Sequence, residues 1–384
     1  MTPEEKLYAA LDGRQPETPP AISMSLDPNI TNQALGHEPT ALLQFLDSKR
    51  GARFVDGNAR TLNKFFDTAM FVFYNTCARA NYVMGFDAMW FGYWKMGLRD
   101  HAHLQDAFGR LMDIVDDGFG NAYFIYRDGL IKSPGEWRAW PRPAIARYAA
   151  TGARMYRALR AIWGRRIAIV PFVAPGLWEN SWQAMGFAPF VTAMRRDPGF
   201  AREVVGYFTA LSIACVDAYC AAGARVLSMG DDLAYKSGPM LSGETLEEFY
   251  GEGYRQITAT AHRHGAKIAI HCCGNTNDLV EKFVEWGFDG AHAFEPTAGN
   301  TLAAAREKVG DRLCLIGNID ITHTLVEGTR DEVEAEVAAA IRDAAGGGFI
   351  LSPTHTHPSM SVERIKWMLE AARGAGSRPG TVGP

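Results

Sequence analysis

The stretch Ala269-Ile270-His271-Cys272-Cys273-Gly274-Asn275 sets an imidazole and two thiols side by side. Lys267 to Ile270 is a short apolar, β-branched run and predicts a buried strand. Gly274 and Asn275 predict a turn, and Leu279 to Trp286 has helical spacing. The triplet therefore falls at the carboxyl end of a strand, on the turn into a helix, where (β/α) folds place their chemistry. Side chains alternate along a strand, so His271 and Cys273 are expected to face one way and Cys272 the other. Imidazole nitrogen and thiolate sulfur both suit zinc, which makes His271 and Cys273 candidate metal ligands. Two ligands do not complete a site. The same residues would also serve as small buried thiols beside a hydrogen-bonded histidine.

Other polar residues fall at predicted strand ends. Arg225 to Met229 leads to Asp231 and Asp232, and Phe294 precedes Glu295. Leu313 to Gly317 leads to Asn318 and Asp320, and Phe349 to Ser352 leads to His355 and His357. Each has a plainer use: an Asp caps a turn, Asn318 and Asp320 stabilise their loop, a loop histidine is solvated. Strand ends converge in a barrel, which favours a shared site. His355 is the candidate third ligand, giving a His/Cys/His set with an open fourth position, as a catalytic zinc needs. Asp232, Glu295 and His357 are secondary candidates for that position or for the shell behind it. Asp232 and Glu295 are also the candidate catalytic acids. The aromatic patch Tyr82, Phe86, Trp90, Phe91, Tyr93 and Trp94 serves either as core or as the wall of a pocket for a flat ligand. In the second case Phe86, Trp90, Tyr93 and Asn318 bind substrate.

The elements that must position these residues are legible in part. Pro3 to Leu11 predicts a helix capped by Thr2. Residues 14 to 40 predict an irregular arm with one short strand, and 41 to 80 are only weakly periodic. From residue 145 the pattern is regular. Ile145–Trp163 predicts a helix and Ile167–Val173 a strand. Phe190–Arg196 and Pro198–Ala222 predict helices, the second capped by Asp197. Ser242–His264 predicts one long helix. Thr301–Val309, Asp331–Ala345 and Val362–Arg373 predict the later ones. Repeated strand–helix alternation implies a parallel sheet with right-handed crossovers. No G-x-G-x-x-G or P-loop is present, which disfavours an open nucleotide-binding sheet. The expected fold is a (β/α)8 TIM-type barrel over residues 81–373, with an N-terminal helical and irregular extension over 1–80 and a disordered tail over 374–384.

Composition limits the partners. At 384 residues with 47% apolar content, the chain can fill a large core. A net charge of −4 gives no reason to expect nucleic acid. The apolar runs look too short and interrupted to span a bilayer, and the charged start Met1-Thr2-Pro3-Glu4-Glu5-Lys6 lacks the apolar core of a signal peptide. Six cysteines in so long a chain read as reduced thiols in a cytoplasmic protein.

Four stretches carry a family likeness: Gly230-Asp231-Asp232 with Ser237-Gly238-Pro239; His271 to Asn275; Gly310-Asp311-Arg312 leading to Gly317-Asn318-Ile319-Asp320; and Gly347 to Pro353. Over about residues 145 to 373 the chain resembles the uroporphyrinogen decarboxylase superfamily, nearest its zinc-dependent, cobalamin-linked methyltransferases. The decarboxylase itself is disfavoured. Its arginine-rich N-terminal motif has no counterpart near residues 20 to 40. Gly85-Phe86-Asp87-Ala88 is followed by Met89-Trp90-Phe91-Gly92-Tyr93, with no acid where the decarboxylase has its essential aspartate. The methyltransferase branch uses His-x-Cys and a later Cys as zinc ligands. His271 and Cys273 match the first two, and His355 stands in the third place.

The resemblance implies a corrinoid-dependent methyltransferase with zinc as Lewis acid, acting on a substrate thiol or a methyl ether. No Asp-x-His-x-x-Gly motif is present to hold cobalamin, so the corrinoid is expected on a partner protein. The aromatic patch points to a methoxylated aromatic donor, hence an O-demethylase component. Superfamily members are often dimers, which leaves a homodimer open. Two alternatives stand beside this reading: a metal-free decarboxylase or lyase acting on a small carboxylic acid, and a barrel that sequesters a small molecule without turnover.

Overall fold

A computed structural model describes residues 1–24, 26–38 and 42–376. Eight parallel strands carry the architecture: β1 (Ile22–Ser23), β2 (Ala88–Gly92), β3 (Ala168–Pro175), β4 (Val226–Gly230), β5 (Lys267–Cys272), β6 (Gly290–Ala293), β7 (Cys314–Ile319) and β8 (Phe349–Pro353). They pair in chain order. A parallel bridge between Ala21 and Leu351 joins the first strand to the last and closes a (β/α)8 barrel. The expected fold class is the observed one.

Strand alternation divides the apolar residues between two environments. Ile22, Ala88, Trp90, Ala168, Val170, Val226, Ala269, Cys314, Ile316 and Ile350 fill the barrel interior. Intervening residues such as Phe91, Ile169, Leu227, Ile268, Ile270 and Leu315 pack outward against the helices. The N-terminal helix Pro3–Leu11, capped by Thr2 as expected and in a capping box with Glu5, sends Leu7, Ala10 and Leu11 into the interior cluster. Tyr8 bonds the Gly265 carbonyl just before β5, so this helix plugs the amino end of the barrel. The carboxyl end is left for chemistry.

Several expectations need correction. The first barrel strand lies within the segment assigned to the arm, because two residues of extended chain suffice to complete the ring. Residues 49–62 and 66–84 are helices that weak periodicity concealed. Their solvent faces carry Phe54, Val72 and Val83, which blur the apolar stripe. An antiparallel sheet of four strands, Met96–Leu98, His103–Asp106, Arg110–Asp116 and Ala122–Gly129, follows β2 and was not foreseen. The long helix expected from Ser242 is interrupted by a π-helical segment at Glu247–Gly251. Helix Pro198–Ala221 has the length and hydropathy of a membrane span, contrary to the reading of the apolar runs. Its Phe200, Val204, Phe208, Leu211 and Cys215 are buried in the outer core. Gly374–Gly376 ends the last helix, and the rest of the predicted tail lies outside the described residues.

Candidate active site at the carboxyl end of the barrel

His271 is the last inward position of β5. Its imidazole is 5% exposed and its Nε2 lies 3.3 Å from Cys273 Sγ. Cys272 points outward as expected; it is fully buried and its sulfur accepts the Leu233 N–H. The chain then turns at Gly274, whose φ of +81° favours glycine and whose added Cβ would lie 2.6 Å from the Ala234 carbonyl oxygen. His355 arrives from the loop after β8, its ring centroid 5.7 Å from that of His271. The ligand atoms of His271, Cys273 and His355 all lie within 4.8 Å of one another. His355 Nδ1 donates to the Thr356 carbonyl at 2.9 Å, which leaves Nε2 with its lone pair.

A tetrahedral zinc with bonds of about 2.0–2.3 Å holds its ligands about 3.3–3.8 Å apart. The His271–Cys273 pair already meets that spacing, and the widest pair closes by about 1 Å. The surrounding charge also fits a cation. Cys273 donates its backbone N–H to Asp232 Oδ1 at 2.8 Å, and the same oxygen is 3.8 Å from His271 Nε2. Burial, then Asp232 and Glu295, push the Cys273 thiol well up, and its side chain hydrogen-bonds Glu295. The predicted acids Asp232 and Glu295 thus both stand beside Cys273.

Behind His271 lies a residue that the sequence reading missed. His292, the inward residue of β6, pairs in register with His271. The two Nδ1 atoms are 2.6 Å apart, and His292 Nε2 lies 3.0 Å from the Pro353 carbonyl oxygen and 3.1 Å from Ser352 Oγ. The signal was available: a histidine two residues into a short strand of otherwise small residues. Trp90 underlies both rings, its centroid 5.7 Å from His271 and 4.9 Å from His292.

The remaining aromatic candidates are not brought to the site. Phe86 and Tyr93 belong to the outer core, and Tyr93 packs on Tyr148 at 4.9 Å and bonds Asp67. They flank the strand, and its alternation sends only Trp90 inward. Asn318 is the last inward residue of β7 and donates to the Phe294 carbonyl at 3.3 Å. Asp320 serves its own loop, accepting from Thr322, His323 and Thr324. His357 accepts the Ser359 N–H in an exposed loop.

Asp231 also has a structural task. Its carboxylate receives the N–H groups of Trp178 and Glu179 at 2.9 Å each and caps the helix Leu177–Met185 from outside. Burial raises its pKa to about 7, against the opposing hydrogen bonds from Tyr254, Glu179 and Trp178. Glu179, a second residue the sequence did not flag, faces Asp232. Burial, then Asp232 and Asp231, lift its pKa well above the ordinary glutamate value. Gln183 donates to Glu179, and Arg110 of the antiparallel sheet donates to Gln183. That sheet is therefore tied to the carboxyl face of the barrel.

The family profile for uroporphyrinogen decarboxylase (URO-D) matches residues 151–375. The chain belongs to this family. Within the URO-D family, it is similar to two curated relatives described as methylcobamide:CoM methyltransferase MtaA. One, from Methanosarcina barkeri (strain Fusaro / DSM 804), is 29% identical over 161 residues, covering 42% of this chain and 44% of that protein. The other, from Methanosarcina barkeri, is 29% identical over 164 residues, covering 42% and 45%. The aligned stretch spans less than half the length of each relative. A solved structure described as a methyltransferase from Methanosarcina mazei superposes with a TM-score of 0.65 at 18% identity, covering 97% of this chain and 99% of that one. That likeness establishes the fold of this URO-D family member.

Proposed function

We propose that this protein is a corrinoid-dependent methyltransferase. It would move a methyl group between a small-molecule donor and a cobalamin carried by a separate corrinoid protein in the cytoplasm. The observation that carries the reading is the convergence of His271, Cys273 and His355, whose ligand atoms lie within 4.8 Å of one another. Partial similarity to MtaA methyltransferases supports it, and six free cysteines agree with a reducing compartment.

His271 Nε2, Cys273 Sγ and His355 Nε2 are the atoms that would hold zinc, with a fourth position open to substrate. Bound there, zinc supplies Lewis acidity that lowers the pKa of a substrate thiol or polarises the oxygen of a methyl ether. The chain's own groups do the rest. Asp232 fixes the Cys273 turn through the backbone bond. Glu179, lifted by burial and its acidic neighbours, would hold a proton beside Asp232 for a departing oxygen. Trp90 closes the floor beneath both imidazoles and keeps water from below the site. Of the predicted aromatic wall only Trp90 reaches the site, buried beneath the imidazoles, so the wall expected to hold a methoxylated aromatic donor is not formed by those residues, and Asn318 is the predicted substrate contact left at the mouth.

The test is elemental analysis of protein purified without chelator or added metal, followed by a methylcobalamin assay. About one zinc per chain, lost in Cys273→Ala together with methyl transfer, is expected. Metal-free protein whose Cys273→Ala variant keeps its activity would sink the reading.

A further inference from the structure

The site holds a pair of buried histidines, of which only one faces the three-ligand cluster. His292 is 1% exposed. Its Nε2 meets the Pro353 carbonyl oxygen at 3.0 Å, a group that can only accept. Ser352 Oγ, 3.1 Å from the same nitrogen, lies 2.8 Å from that carbonyl and gives its own proton to it. Two acceptors therefore face His292 Nε2, so that nitrogen carries the hydrogen. Among the described residues no carboxylate bonds the His292 ring, and two imidazoles buried together without a counter-charge are held neutral. A neutral His292 with hydrogen on Nε2 has a lone pair on Nδ1. That lone pair points at His271 Nδ1, 2.6 Å away. His271 must then carry its hydrogen on Nδ1 and leave the Nε2 lone pair facing Cys273 Sγ. Asp232 Oδ1, at 3.8 Å from Nε2, is beyond hydrogen-bond reach and does not compete for that tautomer.

We propose that His292 is a positioning residue: the Pro353 carbonyl fixes the tautomer of His292, which fixes His271 with its Nε2 lone pair facing the cluster. The same relay sets ring orientation, since each imidazole is held at one edge and both pack against Trp90. Carboxylates and single carbonyls often orient a ligating imidazole directly. Here a second imidazole is interposed between carbonyl and ligand. It raises the donor strength of His271 without placing another negative charge beside a thiol already flanked by Asp232 and Glu295. The value of the relay as support for a metal ligand rests on the zinc reading above; the tautomer itself does not.

Two measurements on the full-length protein separate these. Nitrogen-15 NMR of histidine-labelled, metal-free protein reads the tautomer of His271, assigned with His271→Gln. Hydrogen on Nδ1 is expected; hydrogen on Nε2 overturns the proposal. Zinc affinity, measured by competition with a chromogenic chelator, is then compared across wild type, His292→Leu and His292→Asn. His292→Leu removes the acceptor at similar size and should weaken zinc about 10–100-fold. His292→Asn keeps an oxygen near the Nδ1 position and should restore most of that affinity, which a purely structural role would not produce. Equal zinc affinity in wild type and both folded variants overturns the proposal. If wild type binds no zinc but His271 carries hydrogen on Nδ1, the relay stands and the zinc reading fails.

Discussion

Cys273 donates its backbone N–H to Asp232 Oδ1 at 2.8 Å, so the turn carrying one candidate ligand is fastened to the end of the neighbouring strand. Removing the acceptor leaves a largely buried donor unpaired, at a cost of about 1–3 kcal/mol. Asp232→Ala is expected to lose that stability and most turnover. Asp232→Asn keeps an amide oxygen as acceptor and relieves repulsion with Glu179, so it should unfold near the wild-type denaturant concentration. Denaturant titrations of the two variants beside wild type check this. Equal loss in both would show that the acceptor geometry is irrelevant.

The three candidate ligands predict a specific order of damage. His271→Ala and Cys273→Ala should each weaken zinc by at least about 100-fold and lose methyl transfer with it. His355→Cys replaces one good zinc donor by another and should retain the metal. Chelator treatment should abolish wild-type turnover, and added zinc should restore it. Metal content alongside initial rates decides the matter; zinc retained in both alanine variants would remove those residues as ligands.

Gly176 opens the helix that Asp231 caps. A Cβ there would lie 1.9 Å from Asp231 Cγ, inside any permissible contact. Gly176→Ala should push the carboxylate off the Trp178 and Glu179 N–H groups and cost about 1–3 kcal/mol or more. An unchanged thermal midpoint would mean that the cap is dispensable.

Glu336, half-buried away from the site, accepts the Asp320 N–H at 2.8 Å. Burial raises its pKa in the fold, against its hydrogen bonds. For an acid with a raised folded pKa, its contribution is most favourable below the unfolded value, about 4.3, and is lost as pH rises through the folded value. Glu336→Gln keeps an acceptor for Asp320 and removes the ionisation. The variant should therefore gain stability over wild type as pH rises toward neutrality, and show no such gain near pH 4. Denaturation midpoints at the two pH values test the sign.

Much of the barrel was legible because strand periodicity and helix caps are local. Asp197 caps its helix through the Phe200 N–H, and Thr2 caps the first helix, as their positions implied. The opposite facings of His271 and Cys272 followed from alternation alone. What failed was reading residues whose task depends on a neighbour distant in sequence. Asp231 and Asp232 are adjacent and alike, yet one caps a helix some fifty residues earlier and the other holds the Cys273 turn. Phe86, Trp90 and Tyr93 look equivalent along the chain, but only the residue at the inward strand position reaches the histidines.

The sequence by itself determined the alternation of strand and helix, the family likeness and the ligand types at the ends of β5 and β8. It could do so because backbone periodicity and side-chain chemistry are properties of short segments. Only the tertiary structure decided which groups meet. Barrel closure through Ala21 and Leu351 brings β8 round to the N-terminal strand, and the register of β5 on β6 sets His292 behind His271. Such pairings are fixed by strand register and packing across the whole ring, which no local pattern encodes.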